Sequence, residues 1–314
     1  LFRSQVLNRA LNGINKTMQA QTQNLRQRLW AHATVRFGTW VLGLMLLLAL
    51  LAPWLGTVEP GAMDSNYINK AMGTHGPFAL PDGNTVAHTF WLGSDSFGRD
   101  IYSRIVFGAR ISLLVGAGTA LLALGLGGLL GLLAGYFRAV DAVLMRVMDG
   151  LMAIPAVLLA IALVAALGAS VGTVGVAIAI PEVPRVTRLV RSLVLGLREE
   201  PFVEAARALA TPTPRILWQH ILPNAMAPLL VQGTFVAASA VLTEAGLSFL
   251  GLGLPPDIPT WGNIMAEGRV QFSQYPEQVL MPALLLIPTV LAINLLGDGM
   301  RDVLDPKFAQ RGRS

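Results

Sequence analysis

The 314 residues are 54% hydrophobic and only 13% charged, with a mean hydropathy of +0.58, where an ordinary soluble domain carries about a quarter charged residues. The net charge of +5 comes with no basic cluster interleaved with aromatics, which excludes a nucleic-acid groove, and the absence of cysteine excludes disulfides and thiolate metal sites. Uncharged apolar runs of about 20 residues, the length of one helical span, recur along the chain and predict an all-α integral membrane protein.

Residues 1–36 carry Arg3, Arg9, Lys16, Arg26, Arg28 and Arg36, and the first acidic residue is Glu59. Leu7, Leu11, Ile14, Met18, Leu25 and Leu29 recur at helical spacing, the pattern of an amphipathic helix lying on a membrane or a partner; a disordered tail is the alternative. A cleavable signal peptide fits poorly, because the apolar stretch begins late and Pro-Trp follows it. The first span is expected over 37–57, followed by a polar, Gly- and Pro-bearing segment over 58–110 and a second span from Ile111 to Phe137. Within that span Gly127, Gly131 and Gly135 form one helical stripe where another backbone can approach closely. Beyond a short loop with Arg138, Asp141, Arg146 and Asp149, the apolar run from Leu151 to Ile180 is broken around Gly168 and Gly172. It predicts two short spans with a tight turn, the second continuing through Pro181 and Pro184 towards Val190. Glu182 and Arg185 are spaced to pair along it. A charged segment over 199–224 leads to span five, Ala225 to Thr243, and a Gly/Pro-rich connection leads to span six, Leu280 to Leu296, the last of the five spans in the core 111–297. Residues 298–314 form a tail.

Six spans put both ends on one side. Of the 23 Lys and Arg residues, only Lys70, Arg99, Arg104, Arg110 and Arg269 then fall on the other, so the positive-inside rule makes both termini cytoplasmic and 58–110 periplasmic.

The segment from Glu204 to Asn224 reads as two short helices with a hard break. Phe202 to Leu209 are helix formers, Thr213 is a suitable N-cap with Pro214 in the first turn, and Pro223 is expected to stop the second helix at the membrane. Glu204 beside the small Ala205, Ala206 and Ala208 makes a surface that another protein can approach closely.

This segment resembles the cytoplasmic loop of the integral membrane permeases of bacterial ATP-binding-cassette importers: Glu204, Ala205 and Ala206 match its start, and Ile221, Leu222 and Pro223 its end. Ala210 stands where that family has glycine, which argues against a positive-φ turn here and leaves the bend to Thr211-Pro-Thr-Pro214. The resemblance covers most of 90–306. Trp91 to Asp100, Gly108 to Ser112, Leu247 to Gly253, Thr260 to Asn263, and Asn294 to Asp302 with Asp305-Pro306 are similar to the C-type permease of the dipeptide, oligopeptide and nickel branch. The resemblance implies the type I permease fold in the bacterial inner membrane, and a loop docking an ATPase through Glu204, Ala205, Ala206, Ala210, Ile221, Leu222 and Pro223. It also implies a homologous second permease, two ATPase subunits that hold ATP and Mg, an extracytoplasmic binding protein, and peptide cargo, with nickel chelates or glutathione-like compounds as alternatives.

The chain itself carries no phosphate loop, since Lys16, Lys70 and Lys307 lack the glycine context, and no hydrolase or dinucleotide motif. His32, His75, His88 and His220 are too scattered for a zinc site. No catalytic, cofactor-binding or metal residue is therefore expected. Asp95, Arg99 and Asp100 are expected either to brace the outer loop or to contact the binding protein, and Glu244 either to sit at the outer interface of span five or to act as a gate. Two rival classes remain: a secondary transporter, which would place ionisable residues at mid-membrane, and a non-transporting membrane anchor.

Overall fold

The computed structural model describes residues 27–304; the sequence-predicted helix over residues 7–29 lies almost wholly outside them. Helix α1, Ala33–Leu51, runs into a short 3-10 turn at Ala52–Trp54. The polar segment that follows holds an antiparallel hairpin, β1 Thr74–Ala79 and β2 Thr85–Phe90, with Phe78 and Phe90 buried between its strands and Tyr67 stacked on Phe90 at 4.8 Å. The long helix α2, Ile101–Tyr136, begins ten residues before the predicted Ile111, because Asp100 caps it by accepting from the Ser103 amide at 2.8 Å. An N-cap of this kind removes one of the unpaired first-turn donors. Arg110 therefore lies on the helix, and its guanidinium donates to the carbonyl oxygens of Ala49 and Leu50 at the end of α1.

Residues 138–150 are not a loop. They form most of helix α3, Arg138–Ala153, whose polar side explains why hydropathy misses it. Pro155 then breaks the chain by 90° before α4, Ala156–Leu167. Twelve helical residues rise about 18 Å, short of a hydrocarbon core of about 30 Å, so α4 alone is not a span as predicted; only the bent pair is long enough. Ser170 and Thr173 close a capping box that starts α5, Val171–Leu197, which stays helical through Pro181 and Pro184. Glu182 pairs with Arg185 at 3.0 Å, while Arg188 meets Asp149 and Arg191 meets Asp141, both on α3. The charges of α5 are thus matched by acids one turn away or across the α3 contact.

After α5 come α6, Pro201–Ala208, and the single turn α7, Thr213–Ile216, which passes through a π-turn at Leu217–Ile221 into α8, Leu222–Phe249. A short helix α9, Trp261–Gly268, precedes α10, Glu277–Leu304. Among the described residues, four helical stretches are long and apolar enough to cross a membrane, and the bent α3–α4 pair makes a fifth.

With lipid on the outside, apolar side chains gain little from meeting one another, and close packing between helices carries the stability. The α2–α5 contact is the tightest expression of this. A Cβ built on Gly127 would sit 2.7 Å from the Val186 Cβ, one on Gly131 2.6 Å from that of Val190, and one on Gly135 2.5 Å from that of Val194. The carbonyl oxygens of Val183, Thr187 and Arg191 lie within 3.0 Å of the same three points, so α5 backbone rests directly on the glycine stripe. Gly131→Val forces these backbones apart, an overpacking cost of about 1–3 kcal/mol, and is expected to lower the thermal midpoint of the detergent-solubilised protein by several degrees. Gly125→Ala, with nothing within 4 Å, leaves it unchanged; equal midpoints for both variants would refute the seam.

Candidate functional site: the coupling segment and the outer charge cluster

Helix α5 ends at Leu197, and Arg198 turns back to donate to the Gly135 carbonyl oxygen at 3.3 Å. Pro201 then opens α6 in a first-turn position where its missing N–H costs nothing, with Glu204 in the first turn, favourable at the positive helix end. Val203 and Ala206 face inward and are buried; Phe202, Glu204, Ala205, Arg207, Ala208 and Leu209 are exposed. Of the three residues matched at the start of the segment, Glu204 and Ala205 therefore face out and Ala206 faces the core. Leu209, at the tip, is 81% exposed.

Ala210 has φ +54°. The turn that the alanine argued against is present, and the Thr-Pro-Thr-Pro sequence does not replace it. The Ala210 amide donates to the Arg207 carbonyl at 2.9 Å and the Thr211 amide to the Ala206 carbonyl at 3.0 Å, the paired bonds of a Schellman ending. Two helix-end carbonyls satisfied together hold the alanine in a conformation that costs an L-residue roughly 1–2 kcal/mol.

Thr213 is the first residue of α7, not its cap; Pro212 holds the cap position. Nor does Pro223 end a helix. The Leu222 amide donates to the Leu217 carbonyl, a one-residue widening that lets Pro223 enter α8 in its first turn, where no amide is required of it. The Asn224 side-chain amide donates to the His220 carbonyl at 2.6 Å, pairing an acceptor next to the widened turn. The result is one unbroken helical stretch, Thr213–Phe249. Ile216, Leu217 and Ile221 share a buried cluster with Val203, Ala206, Leu132, Val186, Val190 and Val194, while Leu222 is half-buried and Pro223 and Asn224 are exposed. The segment is packed on its inner side into the α2–α5 seam and bare on its outer side.

At the opposite end of α2, Asp95 and Arg99 are joined at 2.6 Å, and Arg99 also binds Glu267 of α9. Arg104 lies 3.2 Å from the same Glu267 carboxylate. Arg99 and Arg104 are 2% and 1% exposed and Asp95 is 4% exposed, so these side chains, like the helix cap Asp100, are buried within the chain. They tie the pre-α2 loop to α9. Burial raises the Glu267 carboxyl above its ordinary range, against the pull of the Arg104 and Arg99 charges.

Water does not reach Glu244. It is fully buried inside α8, and its Oε1 accepts from the Ser248 hydroxyl at 2.8 Å, with the Ser112 and Thr260 hydroxyls beside it. No group of three metal-ligating side chains occurs among the described residues.

Residues 127–310 match the family described as the binding-protein-dependent transport system inner membrane component, and residues 20–71 match the N-terminal transmembrane domain of oligopeptide transport permease C. The chain is a member of that inner membrane permease family. It is 47% identical over 93% of its length, and 95% of the relative's, to a probable peptide ABC transporter permease protein, y4tQ, of Sinorhizobium fredii. A dipeptide transport system permease, DppC, of Alkalihalophilus pseudofirmus is 48% identical over 69% of this chain and 72% of that one. The glutathione transport system permease GsiD of Pectobacterium atrosepticum is 41% identical over 90% of both.

The permease brings the residues expected to couple it into one surface but divides them by face. Glu204, Ala205 and Pro223 are exposed, Ala206 and Ile221 are internal, and Ala210 shapes the tip. Gly127, Gly131 and Gly135 support that surface from beneath. Glu267 escaped the sequence reading; of the two acids beside Arg99 and Arg104, Asp100 is taken up by the helix cap, which leaves Asp95 alone for two arginines and room for a further acid from elsewhere. Ala210→Gly removes the backbone strain and is expected to stabilise the permease by up to about 1 kcal/mol with coupling intact. Ala210→Val puts a β-branched residue at positive φ, a severe outlier, and is expected to uncouple the ATPase; equal uptake by the two variants would contradict the turn's role.

Proposed function

We propose that this permease is one half of the membrane pathway of a peptide-importing ABC transporter, working with a homologous second permease, two ATP-binding subunits and an extracytoplasmic binding protein. The topology proposed is six spans with both termini cytoplasmic: α1, α2, the α3–α4 pair, α5, α8 and α10. A 27-residue α5 rises about 40 Å, enough to cross, and the ion pairs made by Glu182, Arg185, Arg188 and Arg191 reduce the cost of carrying charge near the membrane. The strong excess of Lys and Arg on one side supports the orientation.

ATP and Mg act on the partner subunits, and this chain contributes no catalytic group. Its work is mechanical: the outer face of the Glu204–Pro223 segment receives the ATPase, and the inner face passes the displacement to the α2–α5 seam and along α8. The observation that carries this reading is the two-sided character of the segment, with Glu204 and Leu209 bare while Val203, Ala206, Ile216 and Ile221 are locked into the helix core. Phe202 and Leu209, both exposed, supply apolar contact area beside Glu204. Peptide cargo is supported by the relatives named for peptides and dipeptides; the relative named for glutathione supports a small peptide-like thiol as the second reading.

Glu204→Arg reverses the charge at the centre of the proposed interface, where a like-charge or unpaired contact costs several kcal/mol. The assembled importer carrying it is expected to lose at least about tenfold in ATP-driven dipeptide uptake, a change of about 1.4 kcal/mol. Undiminished uptake with the variant present in the complex would sink the assignment.

A further inference from the structure

Between α5, α8 and α10, in the half of the bundle nearest the coupling segment, lies a cleft of about 380 Å³ lined by Leu189, Pro228, Gln232, Phe235, Arg301 and Leu304 among others. That is within the range of about 300–1,000 Å³ usual for small-molecule sites. Its lining joins an aliphatic and aromatic wall to one carboxamide and one guanidinium.

Gln232 is the unusual member. Beyond Asn224 at its start, α8 carries no other carboxamide. Gln232 is half-buried, and its side chain makes no hydrogen bond among the described residues, whereas the neighbouring Thr234 hydroxyl is paired with the Val231 carbonyl oxygen at 2.8 Å. A carboxamide has two donors and an acceptor oxygen, and at partial burial on the cleft wall those of Gln232 stay open to whatever enters. One turn earlier Pro228 supplies no N–H to the carbonyl of Asn224, adding an acceptor near the same cleft.

We propose that this cleft is a subsite for the cargo peptide's backbone, a proposal that rests on the peptide-importer reading. Gln232 pairs with a peptide bond, itself a carboxamide of matching donor and acceptor. Arg301, exposed at the rim of the cleft, takes the peptide's terminal carboxylate through its planar fork of donors. Leu189 and Phe235 offer side chains only an apolar wall. The subsite therefore reads the backbone and the free carboxylate and tolerates varied side chains, which suits short peptides as a class.

The chain contains no cysteine, so Gln232→Cys, Phe235→Cys and the control Leu230→Cys, exposed but outside the cleft lining, each give it a single thiol. In the assembled importer in inside-out vesicles, a membrane-impermeant thiosulfonate is expected to label the first two and spare the third. At Phe235→Cys, which keeps Gln232, dialanine at ten times its half-protecting concentration is expected to slow that labelling about tenfold, by simple occupancy. Dialanine amide, which lacks the carboxylate, is expected to protect only at much higher concentration. Absence of labelling at both cleft positions, meaning that lipid or the second permease covers them, overturns the subsite; so does labelling of Phe235→Cys that dialanine does not slow. An importer that takes up peptide yet shows either result refutes the subsite alone, whereas a chain that forms no complex with an ATPase refutes the reading beneath it.

Discussion

The seam between α2 and α5 is the constraint on which the rest of the permease depends. Three glycines at four-residue spacing let the α5 backbone lie against α2 with Val186, Val190 and Val194 filling the grooves. In a bilayer, where the hydrophobic effect does not press helices together, contact of this closeness is what dispersion and interhelical packing have to work with. The same valines extend into the cluster that holds Val203, Ala206, Ile216 and Ile221. The outer face of the Glu204–Pro223 segment is therefore fixed to the membrane core through the seam, with no flexible linker in between.

Two further devices make that surface stiff. The Schellman ending at Ala210 sets the angle between α6 and α7 with two backbone bonds, and the π-turn at Leu217–Ile221 carries the chain past Pro223 without ending the helix. At the far end of the molecule, Arg99 and Arg104 share Glu267 and so fasten α9 to the loop before α2. A buried pair broken by loss of one partner costs about 3–5 kcal/mol, so this cluster resists separation of α9 from that loop. Motion between such bodies is a change of packing between discrete arrangements.

Much of this was legible in residues and some was not, for physical reasons. The glycine stripe was legible because four-residue spacing translates directly into one helix face, and the short helix Pro201–Ala208 with the break after it because helix formers precede two prolines. The 138–150 stretch was misread as a loop because an amphipathic helix lowers local hydropathy as a loop does, and because its acids find their partners only in three dimensions, on Arg188 and Arg191. The start of α2 was placed too late by following hydrophobicity alone, although Asp100 three residues before Ser103 is a cap. Pro223 and Ala210 were misjudged from single-residue preference, which tertiary context overrode. Glu244 carried no local sign of whether its helix neighbours or water would surround it.

The central claim is that the coupling segment and the outer end of α8 belong to one rigid body. Spin labels on cysteines replacing Leu209, at the segment's tip, and Leu250, just beyond α8, measure this directly, since the chain has no other thiol. Pulsed electron–electron distances in the assembled importer should keep the same distribution in the nucleotide-free and vanadate-trapped states, while distances from either label to the second permease change. A shift between Leu209 and Leu250 themselves would mean that the π-turn flexes during the cycle, and would contradict the account.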